Sequence, residues 1–250
     1  MSKPVHANSW DALRAFTYAR IALGRTGASL PTNELLRFGL AHAQARDAVH
    51  QPFDSERLAA DLRDAGWPTL AVHSQAADRA AYLRRPDLGR RLAPDSRSLL
   101  LGSPSRRVDL LLIVADGLSS KAVHRQALPL LQALRPYLDT LGLTVAPVVL
   151  AHQARVALGD EIGEWPGLSS PDSLGVYLTW GPNARRTDAE RNCISNVRPE
   201  GLDYPQAAFR LAWLLEQAFL RRLSGIELKD ESDNPALHGR VTPLYPQLGG

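Results

Sequence analysis

The sequence predicts an α/β protein: a Rossmann-like, mostly parallel sheet preceded by an N-terminal, mainly helical region. Three observations carry this reading. The segment Val108–Ala115 contains the continuous apolar run Leu110–Ala115, as expected of a strand covered on both faces. The loop Asp116–Ser120 follows, then a run with Val123, Ala127, Leu130, Leu131, Leu134 and Leu138 at helical spacing. A second apolar segment, Leu143–Leu150, completes a strand–helix–strand unit. Parallel strands joined in this way take a right-handed crossover.

Taken in order, the first ninety-five residues read as helices and loops. Ser9 can cap a short helix carrying Ala12, Leu13 and Phe16, and Gly24, Gly27, Ser29 and Pro31 form a loop. Thr32 caps the next helix, Glu34 suits its N-terminal dipole, and the pattern runs toward His50. Leu35, Phe38, Ala41, His42 and Ala45 recur on one face, which is expected to be buried. Asp54 caps a third helix with Leu58 and Leu62 on one face and Gly66 as its stop. Leu70–His73 is short enough for a strand, and proline and glycine make a loop of Arg84–Leu92. From residue 96 the α/β pattern begins. Pro129 is expected to kink the helix after the first strand, Leu174–Trp180 is a third strand, and Ala207–Leu223 is a closing helix. The domain reading is therefore a helical region over 1–95, a Rossmann-like domain over 96–228, and a fraying tail over 229–250.

Composition excludes several classes. A chain of 250 residues that is 44% hydrophobic and 22% charged can bury a sizeable core. The longest apolar run is far short of a membrane span, and the N-terminus has no apolar signal-peptide region. The single cysteine, Cys193, excludes an internal disulfide framework and suits a reducing cytosol. Positive charge is almost all arginine, since only Lys3, Lys121 and Lys229 are lysine. Arginine doublets recur at 84–85, 90–91, 106–107, 185–186 and 221–222, but acidic residues are mixed in and the net charge is only +3. That is a solvated surface with interface arginines rather than a nucleic-acid stripe. The Tyr82–Leu92 loop, rich in exposed-type arginines, is expected at a subunit contact.

Candidate chemistry is sparse. Open α/β sheets bind ligands beyond the C-terminal ends of their strands, which points to Asp116–Ser120. Asp116 either accepts from a ligand hydroxyl or amide, or merely satisfies its own turn; the residues alone leave both open. No Gly-rich nucleotide fingerprint, phosphate loop or nucleophile elbow is present. Histidines 6, 42, 50, 73, 124, 152 and 238 form no metal-ligand pair. Cys193 lies in the polar segment Arg191–Asn196, a loop that could line a site. On these residues alone the chain is a ligand-binding α/β domain, or a self-contained enzyme for a small anionic metabolite at the Asp116 loop.

Several segments together carry a more specific resemblance: Ala19–Gly27, Leu35–Phe38, Tyr82–Leu92, Ile113–Ser119, Arg191–Asn196 and Ser224–Ile226. In this order they resemble the small (light) subunit of ethanolamine ammonia-lyase, an adenosylcobalamin-dependent enzyme. The resemblance implies a Rossmann-like subunit that is inactive alone and pairs with a TIM-barrel large subunit in a hetero-oligomer. It implies that the cofactor sits at the interface, supplies a radical that abstracts a substrate hydrogen, and that ethanolamine becomes acetaldehyde and ammonia. The chain lacks the D-x-H-x-x-G pattern of proteins that place a histidine on cobalt, in keeping with a base-on cofactor. Some relatives carry a longer leader linked to microcompartment targeting; this chain is expected to lack it and to be cytoplasmic, with a bacterial microcompartment as the alternative location.

By the same resemblance the cofactor contacts are Val156, Glu164 and Cys193, with no catalytic residue and no metal ligand. Val156 corresponds through Arg155-Val156 and Cys193 through its hexamer. Glu164 corresponds through Glu164-x-Pro166-Gly167-Leu168. Relatives carry an apolar strand between Ile-Gly-Glu and Gly-Glu-Arg-Pro-Gly-Leu, whereas here Ile162–Leu168 joins the two ends directly. Glu164 thus represents either family glutamate, and Trp165 stands where arginine is usual. Loss of an edge strand leaves a sheet intact; loss of a central one opens it.

Overall fold

The computed structural model describes residues 5–6, 8, 10–17, 19–102, 108–163, 194, 197–199, 201–223, 227–234 and 240–244, and the backbone of 174–179. Two compact units divide the chain, Met1–Val49 and His50–Gly250.

The first unit holds a 3-10 helix, Asp11–Phe16, and most of helix α1, Thr32–His50. Trp10 occupies the cap position of the short helix and makes no side-chain cap bond, while Ser9 lies outside the described residues. In α1 the expected buried face is a correction: Leu35 and Phe38 are 59% and 58% exposed, Ala41 and His42 are exposed, and Ala45 is half-buried. Periodicity says that a face is apolar but not what covers it, and the unit's described residues contain no sheet or second long helix to do so.

In the second unit, α2 (Ser55–Asp64) starts at Asp54, whose carboxylate accepts the Arg57 N–H, and stops where Gly66 takes a φ of +79°. Strand β1 (Thr69–His73) follows, then α3 (Arg79–Arg84), the 3-10 turn Leu88–Arg90 and α4 (Pro94–Gly102). Strand β2 is Leu110–Ala115, with all six residues buried. Helix α5 (Ser120–Leu141) is capped by Ser119 and runs unbroken through Pro129 and Pro136. Strand β3 spans Val148–His152, so it starts five residues and ends two residues later than the expected Leu143–Leu150, because Leu143–Pro147 forms its lead-in. Helix α6 (Leu158–Gly163), strand β4 (Leu174–Thr179) and helix α7 (Tyr204–Arg221) complete the order, with Trp180 outside the described residues.

The four strands form one parallel sheet in the order β1-β3-β2-β4. The expected α/β class with a parallel sheet and a helical N-terminal region is what the structure contains. The sheet takes β1 from the first ninety-five residues, so the strand–helix pattern starts earlier than residue 96. Alternation in β2 splits the core. Leu110, Leu112 and Val114 pack with α2, α5 and α7, while Leu111, Ile113 and Ala115 pack with α4 and α6. Strand β2 is paired on both sides, to β3 and to all six residues of β4. The short join after α6 therefore leaves no gap in the described sheet. Residues 240–244 are tied back, with the Thr242 N–H donating to Glu216 at 2.6 Å and the Leu244 N–H to the Leu141 carbonyl at 3.2 Å.

Candidate functional site

At the C-terminal end of β2, the first residue past the strand is Asp116, only 1% exposed. Its Oδ2 accepts the Gln153 N–H at 2.8 Å and its Oδ1 accepts the Ala154 N–H at 3.1 Å. Arg79 lies 3.7 Å away as an ion-pair partner. Burial pushes the carboxyl above its ordinary range, against these N–H groups and the guanidinium. Both oxygens are engaged, so of the two roles left open by the sequence Asp116 serves the turn.

The turn that it holds leaves β3 through Gln153, in the left-handed region at φ +51°. Tyr82 sits beside it between two guanidinium groups, with Arg79 and Arg155 each 4.6 Å from its ring centroid. The Arg155 Nη2 donates to the Tyr82 carbonyl at 2.9 Å, and burial raises the Tyr82 phenol. Gly89 closes this cluster. Its carbonyl accepts the Arg155 N–H at 2.9 Å, and a Cβ there would stand 3.1 Å from Arg155 Cγ and 3.2 Å from both the Gln153 carbonyl oxygen and Tyr82 Cδ2. Only glycine allows that approach without displacement.

Val156 is the next residue along, 40% exposed on this turn. It is the one sequence-predicted contact that the structure describes. Glu164 and Cys193 lie outside the described residues. Ile194, the neighbour of Cys193, packs against the core formed by α5 and α7. Within the Tyr82–Leu92 segment Tyr82 and Gly89 are buried. Arg85 is held by Asp87, through Nε at 2.9 Å and Nη2 at 2.6 Å. Arg90 and Arg91 are exposed.

A second cluster ends β1 and β3. His73 stacks on His152 with centroids 4.2 Å apart, and Phe53 packs on His152 at 5.0 Å and on His124 at 5.4 Å. His152 Nε2 lies 2.7 Å from Ser55 Oγ. Burial, and then the neighbouring His73, push His152 down to about 4, so it is neutral near pH 7. Among the described residues no group of three or more His, Cys, Asp or Glu is arranged to hold a metal ion. No helix of the described residues is long and apolar enough to cross a membrane.

Sequence reasoning missed Arg79, Gly89 and Arg155. Gly89 carried a signal, a glycine in a segment otherwise rich in bulky side chains. Arg79 carried none, because its partner Asp116 is 37 positions away.

Comparison with known proteins adds a family. Residues 7–229 match the family model for the ethanolamine ammonia-lyase light chain (EutC). A small subunit of ethanolamine ammonia-lyase from Pseudomonas putida (strain GB-1) is 53% identical over 246 residues, covering 92% of this chain and 90% of that protein. The corresponding subunit of Pseudomonas aeruginosa (strain UCBPP-PA14) is 52% identical over 250 residues, covering 94% and 92%. That of Xanthomonas campestris pv. campestris (strain ATCC 33913) is 51% identical over 246 residues, covering 92% and 90%.

Proposed function

This chain belongs to the ethanolamine ammonia-lyase light-chain family, and from that premise we propose that it is the cobalamin-holding small subunit of a two-subunit lyase converting ethanolamine to acetaldehyde and ammonia. The observation that carries the reading is Val156, an apolar side chain 40% exposed on a rigidly held turn at the C-terminal end of the sheet. Open α/β sheets bind ligands at that edge. The residues present fit a corrin: an apolar contact at Val156 and nearby guanidinium donors suit a broad ring rimmed with amides. Adenosylcobalamin, when bound, supplies the radical chemistry, and the protein supplies binding and orientation.

This chain's own side chains offer no acid, base or nucleophile set at that edge among the described residues. Asp116 is buried with both oxygens engaged, and His152 is neutral and hydrogen-bonded to Ser55. The relatives' printed name, small subunit, supports a subunit whose activity depends on a partner, named here as the large subunit. The described residues of 5–49 support the same reading, since among them no large apolar side chain is fully buried and Trp10, Phe16, Leu35, Leu36, Phe38 and Leu40 are exposed. Exposed apolar patches of this kind mark interaction surfaces.

The test is reconstitution. This chain, the cognate large subunit and adenosylcobalamin together release ammonia from ethanolamine, and omitting any one abolishes it. Turnover by this chain without the large subunit would overturn the two-subunit reading, and full activity without corrinoid would overturn the cofactor.

A further inference from the structure

The turn Leu88–Arg90 and helix α6 flank an open cleft of about 360 Å³, lined by Asp87, Arg90, Arg91, Ala157 and Glu161. Its walls are fixed to one another. The Arg155 N–H donates to the Gly89 carbonyl at 2.9 Å, and the Leu92 N–H donates to Glu161 Oε2 at 2.6 Å. The two acids of the lining are already engaged. Asp87 takes the Arg85 fork, which holds its carboxyl down to about 2, and Glu161 caps the Leu92 N–H. The two arginines are not. Arg90 and Arg91 are exposed and make no side-chain hydrogen bond or ion pair among the described residues. Adjacent planar forks with unused donors match the geometry of an oxyanion.

We propose that this cleft is an oxyanion site in which Arg90 and Arg91 hold a phosphate group, the phosphodiester of the corrinoid's nucleotide tail. The assignment rests on the cobalamin reading given above and adds to it a charged contact. Its basis is adjacency: Ala157 lines the cleft opposite Arg90 and Arg91 and follows Val156 directly, so the apolar contact lies beside the cleft that carries the anion contact. A ligand with a broad uncharged ring and a single anionic group on a tail can use both. Free phosphate at two exposed arginines binds weakly, because water and salt screen the charge. A phosphate tethered to a ring that is already bound meets them at high effective concentration.

The experiment uses the complex with the large subunit, as wild type and as Arg90→Ala/Arg91→Ala. Binding of cobalamin is compared with that of cobinamide, which keeps the corrin and lacks the phosphodiester tail, by equilibrium dialysis and the visible corrinoid spectrum. The expected result is a loss of about tenfold for cobalamin in the double variant with cobinamide unchanged, and partial recovery in Arg90→Lys/Arg91→Lys. Equal loss for both corrinoids, or none for either, overturns the proposal. So does arginine-dependent binding of inorganic phosphate with cobalamin affinity unchanged, which makes the cleft a free-phosphate site. Loss of the large subunit from the double variant with corrinoid binding intact assigns the arginines to assembly instead. If wild-type complex binds neither corrinoid, the cobalamin reading itself falls and takes this assignment with it.

Discussion

The carboxylate of Asp116, at the end of β2, holds the turn after β3 by accepting the backbone N–H groups of Gln153 and Ala154, at 2.8 and 3.1 Å. Two adjacent strands are thereby locked at the C-terminal edge of the sheet, and the exposed Val156 inherits its position from that lock. A buried carboxylate here is justified by its donors: two backbone N–H groups and a guanidinium 3.7 Å away.

Asp116→Asn removes the charge and turns one acceptor into a donor aimed at a backbone N–H. The expected loss of stability is about 2 kcal/mol, read as a shift in the urea midpoint. A midpoint unchanged within error would mean that the turn is held by other contacts.

Gly89→Ala tests the close approach. Its Cβ would meet Arg155 Cγ, the Gln153 carbonyl oxygen and Tyr82 Cδ2 at 3.1–3.2 Å. Overpacking of this size costs about 1–2 kcal/mol. A lower thermal midpoint is expected, and wild-type stability in this variant would show that the turn yields freely.

His152 ties stability to pH. Its folded value of about 4 lies below the ordinary 6.5, so the unfolded chain binds the proton first. The stability associated with the neutral ring is complete above about pH 6.5 and is lost as the pH falls toward 4. Discounted for a partly solvated ring, the effect is on the order of 1 kcal/mol. Denaturant midpoints measured from pH 7 to 4.5 should decline, and His152→Gln should decline less. Parallel curves for the two proteins would refute the assignment.

Leu35→Asp/Phe38→Asp probes the first unit. Both side chains are more than half exposed and lie one helical turn apart, so the isolated chain is expected to keep its helical signal and its stability within about 0.5 kcal/mol. Co-purification with the large subunit is expected to drop at least tenfold. Undiminished co-purification would remove this surface from the assembly.

Local pattern was enough to determine the α/β class, because β2 is covered on both faces and reads as an uninterrupted apolar run, while α5 repeats its apolar residues at helical spacing. It also determined the cap at Asp54, where a short polar side chain reaches an N–H three residues away. The family was legible in the order of several short segments, none of which is specific by itself.

What covers each apolar face was decided only by the tertiary structure. The α1 helix and the α5 helix both repeat apolar residues at helical spacing, yet Leu35 and Phe38 are exposed while Leu131 and Leu134 are fully buried against the sheet. The role of Asp116 was likewise beyond local reading: its donors lie 37 and 38 residues away. They reach it because parallel pairing of β2 with β3 brings the two strand ends together. Sequence spacing encodes periodicity within an element; which ends meet across a sheet depends on strand order, and that order emerges only when both faces are buried at once.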